Sequence, residues 1–516
     1  MARSSSPDPL EWLDDVVRLD PQRTLFHFAD GRRLSYAWTD ELSSRIAAGL
    51  VTRGVESGDR VAAQVDKSPE AVALYLACLK LGAVFVPLNT AYTLNELEYF
   101  LNDASPHVAV VKPSLLSEAT QLSSQTHFET LGHDGTGSLL ELARKSSAAG
   151  FAPFAGDPEA LAALLYTSGT TGRSKGAMLT RSNLRSNADT LVRAWQFSSS
   201  DVLLHALPIF HVHGLFVGIN AVLASGSSML FLPKFDAAEV VRLLPRVTVM
   251  MGVPTFYTRL LQQEDLNPRT VQNVRVFISG SAPLLADTHR SFRERTGHAI
   301  LERYGMSETL MNTSNPYDGE RVPGSVGPPL PGIEVRVSDP ETGIVLQEAD
   351  SVGMIEVRGP NVFRGYWQMP EKTAAEFRED GFFITGDLGR IDARGYVHIV
   401  GRGKDLVISG GYNVYPIEIE KEIDSLPGVI ESAVIGLAHE DFGEAVTAIV
   451  VKAKGATIDE AAVRQALQSR LANFKLPKRV LFVDELPRNT MGKVQKNVLR
   501  QTYADLYQPR ESHERH

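Results

Sequence analysis

Hydrophobic and polar positions fall into short blocks that read alternately as helix and strand. From Lys67 to Leu88, Ser68 and Pro69 suit the cap and first turn of a helix, and the apolar body AVALYLACL follows. Gly82 can then end the helix before the strand-like AVFVPL. A second helix is predicted from about Asp40 to Leu50, where Leu42, Ile46 and Leu50 recur four apart. Buried strands are predicted over DRVAAQV, HVAVV, TVMMGV and VRVFISG. Such alternation implies α/β layers with parallel sheet. After Gly332 the texture changes to short β pieces with turns, IEVRV, GMIEVRG and GYVHIVG, and beyond Gly401–Asp405 helix and strand mix again. We therefore expect an N-terminal domain over 1–403 with layered α/β sheets and a β-rich part at about 332–403. A small α+β domain should follow over 404–516. No repeat or low-complexity block interrupts this order, and the serines at 198–200 read as a short polar turn.

Composition narrows the class. A chain of 516 residues exceeds what one core usually serves, and 43% hydrophobic with 22% charged residues describes a globular protein. The formal charge of −9, from 52 Lys+Arg against 61 Asp+Glu, argues against broad nucleic-acid binding, so anionic ligands need local cations. The single cysteine, Cys78, excludes an internal disulfide and reads as a core residue in a reducing cytoplasm. MARSSSPDPLEWLDD lacks an apolar signal core, and no uninterrupted apolar run is long enough to span a membrane.

The candidate chemistry begins at YTSGTTGRSKG, residues 166–176. Its glycines allow close backbone approach, its hydroxyls donate hydrogen bonds, and Arg173 and Lys175 add charge suited to a polyphosphate. A Walker loop would end in Gly-Lys-Ser/Thr, whereas this one ends Ser174-Lys175-Gly176. The formal G-x-S-x-G match at 172–176 lacks the strand directly before its serine. An exposed linker would also be rich in these residue types.

The stretch is similar to the phosphate loop of the acyl-adenylate-forming enzymes, and further signatures follow in that family's order. GSAP (280–283) resembles the adenine-side loop, ERYGMSET (302–309) the phosphate and magnesium segment, and TGD (385–387) the ribose turn. GRGKDLVISGGYNVYPIEIE (401–420) resembles the hinge, and PRNTMGKVQK (487–496) the catalytic-lysine loop. The resemblance implies ATP contacts at Thr167, Ser168, Gly169, Thr170, Thr171, Lys175, Gly280, Ser281, Ala282, Pro283, Glu302, Arg303, Tyr304, Gly305, Met306, Ser307, Asp387 and Arg402. It also implies Mg²⁺ at Glu308, a hinge at Lys404, a CoA tunnel at Ser409, Gly410 and Gly411, and a mobile C-terminal domain that closes once for each half-reaction. Lys493 follows Gly492 in a polar loop, where a long cation could swing into a site formed mainly by another domain. The resemblance makes it the residue stabilising charge as a carboxylate attacks the α-phosphorus, with Lys496 as the local competitor.

Within that family the chain resembles malonyl-CoA synthetases, in VPLNTAYTLNELEYF, GVPTFYTRLLQ, MSETLMNTSNPYDGERVPGSVG and PRNTMGKVQKNVLR. Malonate, with methylmalonate as a second acid, is then the expected substrate beside ATP and CoA. Its distal carboxylate demands a cation, for which Arg259 is the sequence's candidate against a plain helix-surface reading. Ser279 and Met306 would shape the pocket, with His211 near that carboxylate. His211-Val212-His213 also invites a metal reading if it lies on a strand, yet nothing nearby completes a ligand set. Alternatives are a synthetase for another short or medium acid, a carrier-loading enzyme and a luciferase-like oxygenase. An inactive nucleotide-binding regulator would be expected to lose Lys493 or Glu308. The sequence does not state an oligomeric order.

Overall fold

The computed structural model describes residues 8–149, 151–167, 174–409, 412–439, 441–468, 470–489 and 492–507. The predicted elements form where local chemistry places them. Ser68 accepts the Ala71 N–H at the start of the helix Pro69–Leu81, and Gly82 ends that helix in the left-handed region at φ 74°. The helix is buried from Ala71 through Lys80, including Cys78. The strands Arg60–Gln64, Val108–Val111, Val249–Gly252 and Val276–Ser279 fall inside the predicted apolar runs. The mixed α/β class is that of the sequence reading, and no helix among the described residues is long and apolar enough to cross a membrane.

The chain divides into two compact units, one of residues 1–335 with 357–384 and one of 336–356 with 385–516. The first holds two largely parallel sheets. One has eight strands in the spatial order Leu310–Ser314, Leu301–Met306, Val276–Ser279, Val249–Gly252, Val202–His205, Ser228–Phe231, Thr24–His27 and Arg33–Ser35, with only its two edge strands antiparallel to their neighbours. The other has six, His127–Thr130, Val108–Val111, Arg60–Gln64, Val84–Pro87, Leu161–Thr167 and the antiparallel Lys175–Thr180. Parallel strands need covering on both faces. Tyr257, Phe277 and Phe292 sit in the core on one side of the eight-stranded sheet, and Phe100 and Leu164 in the core of the six-stranded one. Their carboxyl ends, where open α/β sheets bind ligands, carry most of the sequence's site candidates.

The second unit contains the greater part of a four-stranded sheet ending in Phe383–Ile391 and Val397–Arg402, and a five-stranded sheet built on the antiparallel pair Val429–His439 and Gly443–Lys452. The helices Pro416–Asp424 and Glu460–Gln468 add Ile419, Ile423, Val463 and Leu467 to its core.

Candidate active site

The glycine-rich stretch joins two antiparallel strands, with Thr167 opposite Lys175. It is therefore neither a strand-to-helix phosphate loop nor a nucleophile elbow. Ser168, Gly169, Thr170 and Thr171, with Arg173, lie outside the described residues. On the far edge of Lys175–Thr180, Met178 N–H donates to the Gly365 carbonyl and Trp367 N–H to that of Gly176. This pairing lays Tyr366 beside Lys175, whose ammonium stands 4.1 Å from the ring centroid. Glu308 is buried, and its Oε1 accepts from the Thr167 and Tyr366 hydroxyls, each at 3.2 Å. The Tyr366 hydroxyl also meets Glu376 Oε2 at 2.7 Å, and Glu376 Oε1 pairs with Lys175 at 3.3 Å and Lys372 at 2.7 Å. Burial works to raise the Glu376 carboxyl, but hydrogen bonds from Lys372 and Tyr366 and the Lys175 charge hold it below its usual range. Burial, then the Glu308 and Glu376 charges, pushes the Tyr366 phenol far up. Tyr366 and Glu376 escaped the sequence reading because they lie outside every quoted signature.

A second group lies where the strands Val276–Ser279 and Leu301–Met306 end side by side, with Ser279 opposite Glu302. Arg303 is 3% exposed, and its Nε and Nη2 find no hydrogen-bond partner among the described residues. The buried Ser279 hydroxyl likewise finds none. The guanidinium lies against Gly280 so closely that a Cβ there would come within 2.4 Å of Cζ. Glycine is required by that approach. Burial lowers the Arg303 guanidinium to about 9, with the Tyr257 hydroxyl as the opposing influence. Ser281 takes φ 74° without being glycine, a conformation that stores backbone strain. Its hydroxyl lies 3.2 Å from His213 Nδ1. Ala282 is half-buried and Pro283 exposed. Glu302 is buried, and its carboxylate accepts the Gly324 N–H, so it holds the adjoining loop. Tyr304, Gly305, Met306 and Ser307 are half-buried along the hairpin into Leu310–Ser314.

The histidines do not sit on a strand. His213 begins a π-helix, His213–Ile219, and its N–H donates to Nδ1 of the half-buried His211 at 3.2 Å. Their alternate spacing therefore does not describe a shared strand face. Arg259 is exposed on the helix Pro254–Leu261, whose buried residues are Tyr257 and Leu260.

In the second unit, Gly386 turns the chain at φ 75° and Asp387 faces Arg402 across paired strands, with Oδ1 to Nε at 2.7 Å. Asp387 is buried and Arg402 exposed. Lys404 is exposed in a single 3₁₀ turn, Gly403–Asp405, and its neighbour Asp405 pairs with Arg500 at 2.7 Å. Ser409 is buried, whereas Gly410 and Gly411 lie outside the described residues. Around Lys493 the chain folds back on itself. Lys493 N–H donates to Asn489 Oδ1, Asn489 N–H to the Lys493 carbonyl, and Gly492 takes φ 74°. Arg488 ties this loop down by bonding both the Gly492 carbonyl and Glu431. Lys496 is held by Glu420 at 2.6 Å.

Residues 13–367 match the family of AMP-binding enzymes and residues 418–493 the C-terminal domain of those enzymes, so the chain belongs to the AMP-binding enzyme family. It is 60% identical to ATP-bound MatB from Rhodopseudomonas palustris, with a TM-score of 0.94 over 97% of this chain and 99% of that one. It is also 36% identical to the malonate–CoA ligase of Arabidopsis thaliana, over 92% of this chain and 85% of that protein. Identity to the indoleacetate–CoA ligase of Aromatoleum aromaticum is 35%, over 96% and 98%.

Proposed function

We propose that the chain is an ATP-dependent malonyl-CoA synthetase. A malonate carboxylate oxygen attacks the α-phosphorus of ATP, pyrophosphate leaves, and the CoA thiol then displaces AMP to give malonyl-CoA. The 60% identity to MatB, well above the 35% to the indoleacetate–CoA ligase, supports this reading together with the malonate–CoA ligase at 36%. Arg303 carries the choice. A guanidinium 3% exposed, with two donor nitrogens unfilled among the described residues, is costly unless an anion completes it. A dicarboxylate brings that anion on the end remote from the reacting carboxylate, and a monocarboxylate does not. The unfilled Ser279 hydroxyl beside it suits the same group. On this reading Arg303 takes the part for which Arg259 was the sequence's candidate, in place of its expected nucleotide contact. Methylmalonate carries the same distal carboxylate and is the second acid of this reading, the finer choice that the acid panel tests.

We assign the phosphates to Lys175 and the strand end at Thr167, the ribose to Asp387 with Arg402, charge stabilisation during adenylation to Lys493, the turning point to Lys404 and the CoA side to the segment from Ser409. The resident ion would be Mg²⁺. Glu308 offers one buried hard oxygen with the Thr167 hydroxyl beside it, and a one-carboxylate set fits an ion that phosphates and water also hold. Bound there, Mg²⁺ would neutralise phosphate charge. An inactive regulator is the weaker reading, because Lys493 and Glu308 are both present.

The test incubates protein, MgATP and CoA with malonate, methylmalonate, butyrate, indoleacetate and oxalate, and follows AMP and thioester. Malonate is expected to give the highest kcat/KM, and a monocarboxylate in that place would overturn the reading.

A further inference from the structure

Lys67 lies just before the helix Pro69–Leu81, in the loop that leaves the carboxyl end of Arg60–Gln64 in the six-stranded sheet. Its ammonium donates to Nδ1 of His205 at 2.8 Å and to the His205 carbonyl at 2.9 Å, and stands 4.4 Å from the centre of the Phe231 ring. No salt bridge to an acid is present for it among the described residues, unlike its neighbour Asp66, which pairs with Lys112. His205 is 1% exposed at the carboxyl end of a strand of the other sheet. Its Nε2 lies 2.8 Å from the Gly214 carbonyl. A carbonyl only accepts, so Nε2 carries the proton, and Nδ1 must accept from the lysine. Gly218 lets the ring lie flat on the π-helix, since a Cβ there would come within 3.1 Å of its Cδ2 and Nε2.

We propose that Lys67 is a positioning residue for acid binding. It donates to His205 Nδ1 while the Gly214 carbonyl takes the Nε2–H, so the ring is pinned from both sides and in turn holds Gly214, next to the His213 that meets Ser281. The two sheets are thereby tied at their carboxyl ends, and the start of the π-helix is set against the loop that covers Arg303. Burial pulls the Lys67 amine well below its usual range, and in either of its forms it donates to these two acceptors. The proposal rests on the acid-activating reading above, although its first measurement needs no substrate.

That measurement is a ¹⁵N histidine spectrum of the unliganded full chain. The wild type should show His205 protonated on Nε2 alone with Nδ1 shifted upfield as a hydrogen-bond acceptor, and Lys67→Met should keep that tautomer while moving the Nδ1 signal downfield to that of an unbonded nitrogen. A wild-type Nδ1–H tautomer, or an unchanged Nδ1 shift in Lys67→Met, overturns the proposal without reference to any acid. In the coupled assay, Lys67→Met should raise the KM for malonate ~10-fold with the KM for MgATP unchanged, the scale expected of a misplaced reactant. His205→Gln keeps an N–H toward Gly214 but offers no Nδ1, so the double variant should be no worse than Lys67→Met alone. Additive losses, or equal rises in both KM values, would also overturn it.

Discussion

Two buried charge groups in the first unit are built on opposite terms. At Lys175 every charge has a partner: Glu376 faces Lys175 and Lys372, and Glu308 receives two hydroxyls. At Arg303 a cation is packed under Gly280 with two donors unfilled among the described residues. The first group is satisfied before a ligand arrives, which suits a nucleotide that comes with its own metal counter-charge. The second is incomplete until an anion enters, so affinity gained there becomes selectivity between acids rather than general binding.

The largest test of this contrast replaces the unfilled cation. Arg303→Met should lower kcat/KM for malonate by roughly a hundredfold to a few thousandfold, corresponding to ~3–5 kcal/mol for a desolvated pair that loses one member. Butyrate should hold or improve, and an equal loss for both acids, or a rise in the KM for MgATP, would return Arg303 to the nucleotide set. Removing a partner from the filled group should matter less. Glu376→Gln leaves Lys175 its contact with the Tyr366 ring, so a change of ~3-fold in the KM for MgATP is expected, with malonate unaffected. A tenfold change would mean that the balance at Lys175 is itself part of ATP binding.

The second unit offers the inverse case, an acid without a cation. Asp424 has no partner for Oδ1 among the described residues, and burial, then the Glu420 and Glu431 charges, raises its carboxyl to about 7 against hydrogen bonds from Ser432. Between the ordinary carboxylate range and about 7 the folded chain keeps a proton that the unfolded chain releases, so stability falls as pH rises through that window and levels off above it. Asp424→Asn should therefore raise Tm by ~2–4 °C at pH 8 and much less at pH 5. Calorimetry at the two pH values checks both the sign and the difference. The smallest effect is expected at the exposed Arg259, where Arg259→Met should change malonate kcat/KM less than ~2-fold, as surface substitutions usually do. A large, malonate-specific loss there would exchange the roles of the two arginines.

How far the sequence revealed this follows the range over which each signal acts. The helix Pro69–Leu81 was legible because cap, first-turn proline and terminal glycine are neighbours in the chain. The strands were legible from continuous apolar runs. The exposure of Arg259 was also legible: in Tyr257-Thr258-Arg259-Leu260 the apolar residues three apart take the buried face and turn the arginine outward. His211-Val212-His213 suggested strand alternation, but glycines at 214 and 218 let the segment pack tightly as a π-helix instead. Tyr366, Glu376 and the Lys67–His205 pair had no local pattern. The residues in that pair are 138 positions apart, and only the convergence of two sheets joins them.

Cys78, inert in the buried helix, has a chemical consequence. The chain's one thiol is fully buried, and its surroundings push its ionisation far upward. An enzyme that hands an activated acyl group to a thiol would otherwise risk acylating itself, or trapping CoA in a mixed disulfide. With Cys78 shielded, the folded protein presents CoA with no competitor of its own kind. A thiol-reactive dye added to a working reaction should therefore count CoA and nothing else.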